Sequence, residues 1–585
     1  MDLVSISLIV AALAVIIGIY RRTLSYLAII LSSVLMAVFT FRQYDLTSYF
    51  ALIAAISWVL ISVFSIQYSK NYGRWLTPLF ALTVFGMMLI LEANNYILLI
   101  VGWEIMSIPA YASIGLNRKH YNAAFVFMAF SEISTIFIII GAVFAFIGSG
   151  NLNFSFNKLN SDLPLLLIAL GAMTKMGITP FMISEWLPIA HGNAPANDSA
   201  IFSATMTLMG VFLIVKVMLL SPSSIYLGLL FMAIGGLSVF FSSLFAYVSE
   251  NMKMLGGFST IENNGSLLSA IGLYVAVSGE LRQYMLVVIL IFALAHSVAK
   301  TGLFMKIGST GKESFADIQE GEDRYSTLGT LLITMSLSGL FPTLGGLAVW
   351  MLLEAFFMGA YLHGIIGIAS IIMGSIIALA EGFASAAMMK VLSFSRSLGS
   401  ARTDGKGLMQ KSIFLTGVTM VLLFGIATIL IIPEFIGGLP SVLVLNGFTV
   451  ESSLTGSDFG LVSPLYILGL LSLFSIMTYI VFGKPRERTV PRWNGGVDFN
   501  QHYTSFTYSN NTRIMLRGIL RTKIGDPDKP VSVVDIFWIS MQRFAIGYRK
   551  FARYFAYKVM NSSIAWYMIY MILAFIGVII IVSLA

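Results

Sequence analysis

The chain has 585 residues, 58% of them hydrophobic and only 11% charged, against about 25% charged in an ordinary soluble domain. That composition excludes a soluble globular fold, and the net charge of +8 reads as loop residues that set membrane orientation, not as a nucleic-acid surface. There is no cysteine, hence no disulfide, thiolate nucleophile or cysteine-ligated metal, and five histidines argue against an all-histidine haem or metal site, so no cofactor and no metal is expected.

Apolar runs follow one another at about 1–20, 24–41, 47–67, 76–94, 96–116, 121–149, 163–182, 198–220, 225–248, 262–278, 284–306, 325–360, 362–390, 412–436, 461–483 and 562–584. The first, MDLVSISLIVAALAVIIGIYRR, lacks a basic leader and a small-residue cleavage site, so it reads as a first transmembrane helix and not a signal peptide. The run 325–360 is broken by Pro342, Gly345 and Gly346 and reads either as one interrupted helix or as two short ones. The expected fold class is an all-α polytopic membrane protein with roughly 14–16 transmembrane helices.

One set of alternate loops carries Arg21, Arg22, Lys70, Arg74, Arg118, Lys119, Lys253, Lys312, Arg324, Arg396, Arg402 and Lys406; the other carries Arg42, Lys158 and Arg282. The positive-inside rule puts the rich set in the cytoplasm and the N-terminus outside, which for a cell membrane means a multi-pass plasma-membrane protein. Residues 484–530 are polar and turn-rich, a cytoplasmic loop with no room for a soluble catalytic domain. Residues 531–560 interleave aromatic and aliphatic residues with Arg543, Arg549, Lys550, Arg553 and Lys558 at helical spacing, an amphipathic helix for the membrane surface. It reads either as a lipid-headgroup anchor or as a clamp on other subunits.

Ionisable residues inside apolar runs are costly and are functional candidates by default. They are Glu104, Glu132, Lys175, Glu185, Lys216, His296, Lys300, Glu354 and Glu381. Both signs are present without regular arginine spacing, which suits a proton relay or internal ion pairs and not a voltage sensor. Burial disfavours a charged lysine and a nearby carboxylate favours it, so a lysine between those limits can switch charge. His296 and Lys300 are four residues apart and share a helix face. Two segments are broken, one by Gly177, Pro180 and Pro188, the other by Pro342, Gly345 and Gly346. Paired breaks in the two halves of a chain point to an ion path.

Bland readings stand beside these. Glu104 and Lys175 suit a purely structural ion pair as well as a relay. Lys216, near a span end, suits snorkelling to the interface. Glu132 suits a satisfied structural carboxylate, Glu185 a solvated one at the interface, and Glu381 a helix-packing residue.

Several stretches resemble the antiporter-like proton-translocating subunits of respiratory complex I, membrane-bound hydrogenases and Mrp-type antiporters. VGWEIMSIPAY at 101–111 is similar to the segment holding that family's key glutamate, here Glu104, and GAMTKMGITP to its broken helix with the key lysine, here Lys175. WLPIAHGNAPANDSAIFSATM at 186–206 resembles the stretch that follows, ENMKMLGGFSTIENNGS at 250–266 a family loop, and LAHSVAKTGLF the histidine–lysine helix of His296 and Lys300. STIEN at 259–263 and the C-terminal RWNGG…HYTSFTYS lean toward the formate-hydrogenlyase and hydrogenase-4 type branch. Departures occur too: the spacing from Lys175 to Trp186 is two residues longer than usual, Met182 stands where a histidine is usual, Val349 where an acid or lysine is expected, and Leu208 where a lysine is common.

The resemblance implies two inverted repeats containing broken helices and a C-terminal lateral helix. The expected division is 1–95 N-terminal helices, 96–220 and 221–390 the two antiporter-like repeats, 391–483 C-terminal helices, 484–530 cytoplasmic loop, 531–560 lateral helix and 561–585 terminal anchor. It implies a non-catalytic, proton-translocating subunit of a complex I-related redox complex such as a membrane-bound hydrogenase or quinone oxidoreductase. Its partners would be other membrane and peripheral subunits, the lipid bilayer and protons, with sodium as the alternative ion and no nucleic acid. The relay would run through Glu104, Lys175, His296, Lys300 and Glu354, with Glu132 and Lys216 as weaker candidates. The rival readings are an Mrp-type cation/proton antiporter subunit without redox partners and a structural anchor that has lost transport.

Overall fold

The computed structural model describes residues 3–40, 45–154, 162–179, 182–183, 186–220, 224–315, 324–394, 407–426, 443–446, 449–452, 461–483, 505–520, 536–559, 568–569 and 572–573. Pro180, Glu185, most of 484–530 and most of 562–584 lie outside them. The chain forms two units, residues 1–509 and 510–585.

The first unit is helical almost throughout. Four helices open it: α1 (Leu3–Tyr20), α2 (Arg22–Thr40), α3 (Leu46–Tyr68) and α4 (Leu76–Glu92). Next come α5 (Tyr96–Ile114), α6 (Tyr121–Ser149), α7 (Asp162–Lys175), α8 (Trp186–Asn193), α9 (Ala196–Ile201) and α10 (Thr207–Met218), the last two joined by a π-helical turn at Phe202–Met206. Then follow α11 (Ile225–Val248), α12 (Met252–Ala276), α13 (Gly279–Thr310), α14 (Arg324–Leu337), α15 (Leu344–Gly359), α16 (Ile365–Phe394), α17 (Gly407–Ile426) and α18 (Pro464–Phe482). Ser505 opens α19 (Ser505–Met515). Among the described residues, eight helical stretches are long and apolar enough to cross a membrane and six shorter helices are apolar. The chain is an all-α polytopic membrane protein.

Side chains set the helix starts. Asn95 accepts from the Leu98 amide at 2.8 Å, and Asn251 accepts from the amides of Lys253 and Met254 at 2.9 and 3.0 Å. Each satisfies amides that a helix N-terminus leaves without intrahelical partners. From Tyr284 to Gly308 every residue of α13 is buried, and only Met254 in α12 is not. A helix buried on all sides belongs to a core. Here α12 and α13 form it, with α3, α9 and α17 also packed on α13 and α11 and α16 also packed on α12.

Two sequence expectations change, and one that was open is decided. The run 163–182 is helical only to Lys175, and the chain then forms a short antiparallel pair, β1 (Ile178–Thr179) with β2 (Met182–Ile183). The run 325–360 is two helices separated at 338–343. The stretch 250–266, read as a loop, is helix from Met252 onward; its polar and glycine residues lower its hydropathy but are packed against neighbouring helices. A further small sheet, β3 (Leu443–Asn446), β4 (Thr449–Ser452) and β5 (Leu461–Val462), was not anticipated.

The second unit contains α20 (Arg517–Leu520) and α21 (Ile536–Val559). In α21 the rings of Phe551 and Phe555 stack with centroids 6.0 Å apart, and the Lys558 ammonium lies 5.6 Å from the Tyr554 ring. The amphipathic pattern expected at 531–560 is therefore carried by a helix.

Candidate functional site

The first cluster lies where α5, α6 and α7 meet. The Trp103 indole donates to Ser134 Oγ at 3.1 Å, and that hydroxyl donates to the Gly171 carbonyl at 2.7 Å, tying the three helices together. Lys175 is the last residue of α7 and is buried. Its Nζ donates to Ser107 Oγ at 2.8 Å and Ser131 Oγ at 3.0 Å. It also lies 5.5 Å from the Phe127 ring and 5.8 Å from the Trp103 ring.

Glu104 does not touch Lys175 directly. Its Oε1 accepts from Thr135 Oγ1 at 2.5 Å, and Thr135 and Ser131 sit one helical turn apart on α6. One turn of α6 therefore carries the hydroxyl at the carboxylate and the hydroxyl at the ammonium, and the charges of both Glu104 and Glu132 act on Lys175. Glu132 itself is exposed on α6.

The break behind Lys175 is built by partners as well as by backbone. Gly177 has φ of +84°, and a Cβ there would meet Leu187 Cδ2 at 2.8 Å, so both conformation and space call for glycine. Carbonyls freed by the break are taken up: Trp186 Nε1 donates to Thr174 O at 3.1 Å, and Asn264 Nδ2 donates to Met176 O at 2.6 Å. Irregular backbone at membrane depth is tolerated only where protein or water satisfies it in this way.

Asn264 belongs to a polar band on α12 comprising Ser259, Thr260, Glu262, Asn263 and Asn264, all buried. The Lys300 ammonium on α13 donates to Ser259 Oγ at 2.5 Å. Asn263 Nδ2 donates to Glu262 Oε2 at 2.6 Å and to Ser259 O at 2.8 Å. The charges of Glu262 and Glu381 act on Lys300. Glu262 was not among the sequence candidates: it lay in a stretch read as a loop, where a carboxylate needs no explanation. The signal that could have found it was that STIENN, continued as a helix, puts a carboxylate within a turn of two asparagines.

His296 lies one turn before Lys300, as the spacing predicts. Its Nε2 is 3.2 Å from Ser203 O, and a carbonyl can only accept, so Nε2 carries the proton and Nδ1 is left with a lone pair. Nδ1 is buried without a protein partner. Ser203 belongs to the π-helical turn, and its hydroxyl pairs with Thr260 Oγ1 at 2.5 Å, so the turn, α12 and α13 share one network. Asn264 Oδ1, Ser266 Oγ and Thr301 Oγ1 are also buried with no protein partner. Such groups take water.

The second break mirrors the first only in part. A Cβ at Gly345 would overlap the Ser336 carbonyl, so glycine lets α15 start against the end of α14; Gly346 sits against Leu340, and Pro342 lies between the helices in a cis peptide. Lys175 has no charged counterpart on this break, where Val349 lines a cavity. Glu354 is not brought to His296 and Lys300. Its Oε2 accepts from Tyr284 OH at 2.6 Å, and Tyr284 lies twelve residues before His296, about 18 Å along α13. Lys216 donates to Ala93 O at 2.8 Å and lies 4.7 Å from the Phe154 ring and 5.0 Å from the Phe212 ring, a helix-end tether far in sequence from either break. No cluster of three or more metal-ligating side chains occurs among the described residues.

Residues 93–358 match the family model described as NADH:quinone oxidoreductase/Mrp antiporter, TM. The chain is similar to hydrogenase-4 component B of Escherichia coli, 30% identical over 292 residues that make up 46% of this chain and 43% of that protein. It is likewise similar to NADH-quinone oxidoreductase subunit L of Buchnera aphidicola, 30% identical over 273 residues, 43% of this chain and 42% of that one. The matched part thus spans less than half the length of these relatives. In fold, the chain is similar over 99% of both chains to a subunit of an archaeal membrane-bound sulfane sulfur reductase, with a TM-score of 0.77 at 18% identity. It is also similar to a chain of the Mrp complex from a Dietzia species, with a TM-score of 0.70 at 18% identity over 99% of this chain and 63% of that one. Both clusters fall inside the matched stretch except Glu381, and residues 93–358 of this polytopic membrane protein are similar to the NADH:quinone oxidoreductase/Mrp antiporter family.

Proposed function

We propose that this chain is the proton-translocating membrane subunit of a multi-subunit redox complex related to complex I, of the membrane-bound hydrogenase or quinone oxidoreductase kind. The observation that carries the reading is the pair of buried ammonium groups, Lys175 on two hydroxyls and Lys300 on a third, joined by the polar band of α12. A buried lysine is costly to keep in a membrane unless its charge is used. Glu104, through Thr135, sets the charge state of Lys175, and Lys300 and His296 carry the proton onward. Glu354, held by Tyr284 away from this pair, leaves the distal end of the path without an acceptor on the second break, and Glu132 is an outer carboxylate beside Lys175. The repeats would be 96–220 and 221–390, the N-terminus outside and the membrane the cell membrane, as the loop charges suggest.

A second reading, cation/proton antiport without redox partners, is favoured by the fold likeness to a Mrp complex chain and by the family description, which names both types. One experiment tests both. The full chain is purified with the subunits that accompany it and reconstituted into vesicles containing a pH dye. Lys175→Ala is expected to abolish proton flux while the subunits still copurify, and unchanged flux removes Lys175 from the mechanism. Redox subunits in the preparation support the first reading; flux that needs a sodium gradient and no redox subunit supports the second.

A further inference from the structure

The cavity beside the second break is lined by His296 from α13, Asn263 from α12, Ser336 from α14, Gly345 and Val349 from α15, and Glu381 from α16. Glu381 is sixteen residues into a 30-residue apolar helix, about 24 Å from its start, and so lies at membrane depth. It is only half-buried by the chain, whereas His296 is fully enclosed. Glu381, Glu262 and Lys300 act on one another electrostatically, so the carboxylate belongs to the Lys300 cluster although its helix is remote in sequence.

We propose that Glu381 is the carboxylate that receives the proton from His296 across this cavity and carries it to the edge of the chain. The proposal rests on the relay reading above and adds its missing acceptor. The chemistry balances with one proton. Nδ1 of His296, which has no protein partner, takes a proton from the Lys300 side and becomes the second N–H of an imidazolium. That N–H bond breaks toward a water in the cavity, and the water gives a proton to the Glu381 carboxylate, forming its O–H. Asn263 and Ser336 supply the polar lining that such a water needs. Val349 cannot take this part, since it has no titratable group, and Glu354 is held by Tyr284, which lies about 18 Å from His296 along α13. Of the two titratable groups that line the cavity, Glu381 is the less buried, which makes it the outer one.

The test uses the reconstituted full chain with its accompanying subunits, with flux read by the enclosed pH dye under an imposed potassium diffusion potential. Glu381→Gln is expected to lower flux by about a hundredfold, the size of a lost proton-transfer group. Adding Val349→Glu in the same chain places a carboxylate elsewhere in the lining of the same cavity and should restore at least a tenth of the flux, which a packing role of Glu381 would not allow. Wild-type flux in Glu381→Gln, with Lys175→Ala inactive, overturns this inference and leaves the relay reading standing; wild-type flux in both overturns the relay reading itself. If Glu381→Gln fails to assemble, a hydrophobic carbodiimide on the wild-type preparation decides. Flux loss that tracks modification of Glu381 supports the proposal, and flux loss without it, or modification without flux loss, overturns it.

Discussion

The Asn264 side-chain amide on α12 donates to the Met176 carbonyl at 2.6 Å, one residue beyond Lys175. The central helix therefore holds the first broken helix open. The same helix carries Ser259, which accepts from Lys300. One element thus supports both ammonium sites, and changes in α12 should be felt at each.

Replacing Asn264 by Ala leaves the Met176 carbonyl buried and without its donor. The loss should be about 1–3 kcal/mol of stability, seen as a lower thermal midpoint in detergent, and proton flux should fall with it. An unchanged midpoint would show that another donor takes over the carbonyl.

Thr135→Val keeps the side-chain shape and removes the hydroxyl that donates to Glu104. If Glu104 acts on Lys175 through this bridge, flux should fall by about tenfold while assembly is unaffected. Wild-type flux would mean that the carboxylate works through space alone.

Gly177→Ala forces a side chain into a positive-φ residue already 2.8 Å from Leu187 at the Cβ position. Conformation alone should cost about 1–2 kcal/mol, with the contact adding to it. Thermal unfolding of the purified variant measures this, and a wild-type midpoint would show that the break can relax.

Lys216→Met removes the donor to the Ala93 carbonyl but lies outside both ammonium clusters. Stability should fall by about 1 kcal/mol and flux should stay within about twofold of wild type. Abolished flux in an intact complex would bring Lys216 back into the path.

Much of this was legible in the sequence because the membrane imposes a simple code. Long apolar runs marked the spans, and Gly177 and Gly345 marked the breaks, since a backbone conformation or a close approach leaves a glycine behind. Lys175, His296 and Lys300 stood out because a charge in hydrocarbon is conspicuous. Glu262 did not, because the first half of α12 is polar enough to read as a loop. A helix enclosed by other helices needs no apolar face toward lipid, so its sequence loses the signal by which spans are found. Glu381 is visible in the sequence as a lone carboxylate in an apolar run, but only the fold brings α16 to the cavity beside His296. Glu354 was preferred for its nearness in sequence to the second break, yet its side chain turns to Tyr284.

The π-helical turn at Phe202–Met206 contains one residue more than an α-helical turn needs. Deleting a single residue there would let α9 and α10 merge into one regular helix at little cost in propensity. The deletion would leave the flanking helices close to their present orientation but remove the local bulge that presents the Ser203 carbonyl to His296. The histidine's tautomer would then lose its anchor, and the direction in which its ring accepts protons would no longer be fixed. A one-residue length change at this turn therefore disturbs His296 through its backbone partner while leaving every ionisable side chain in the sequence.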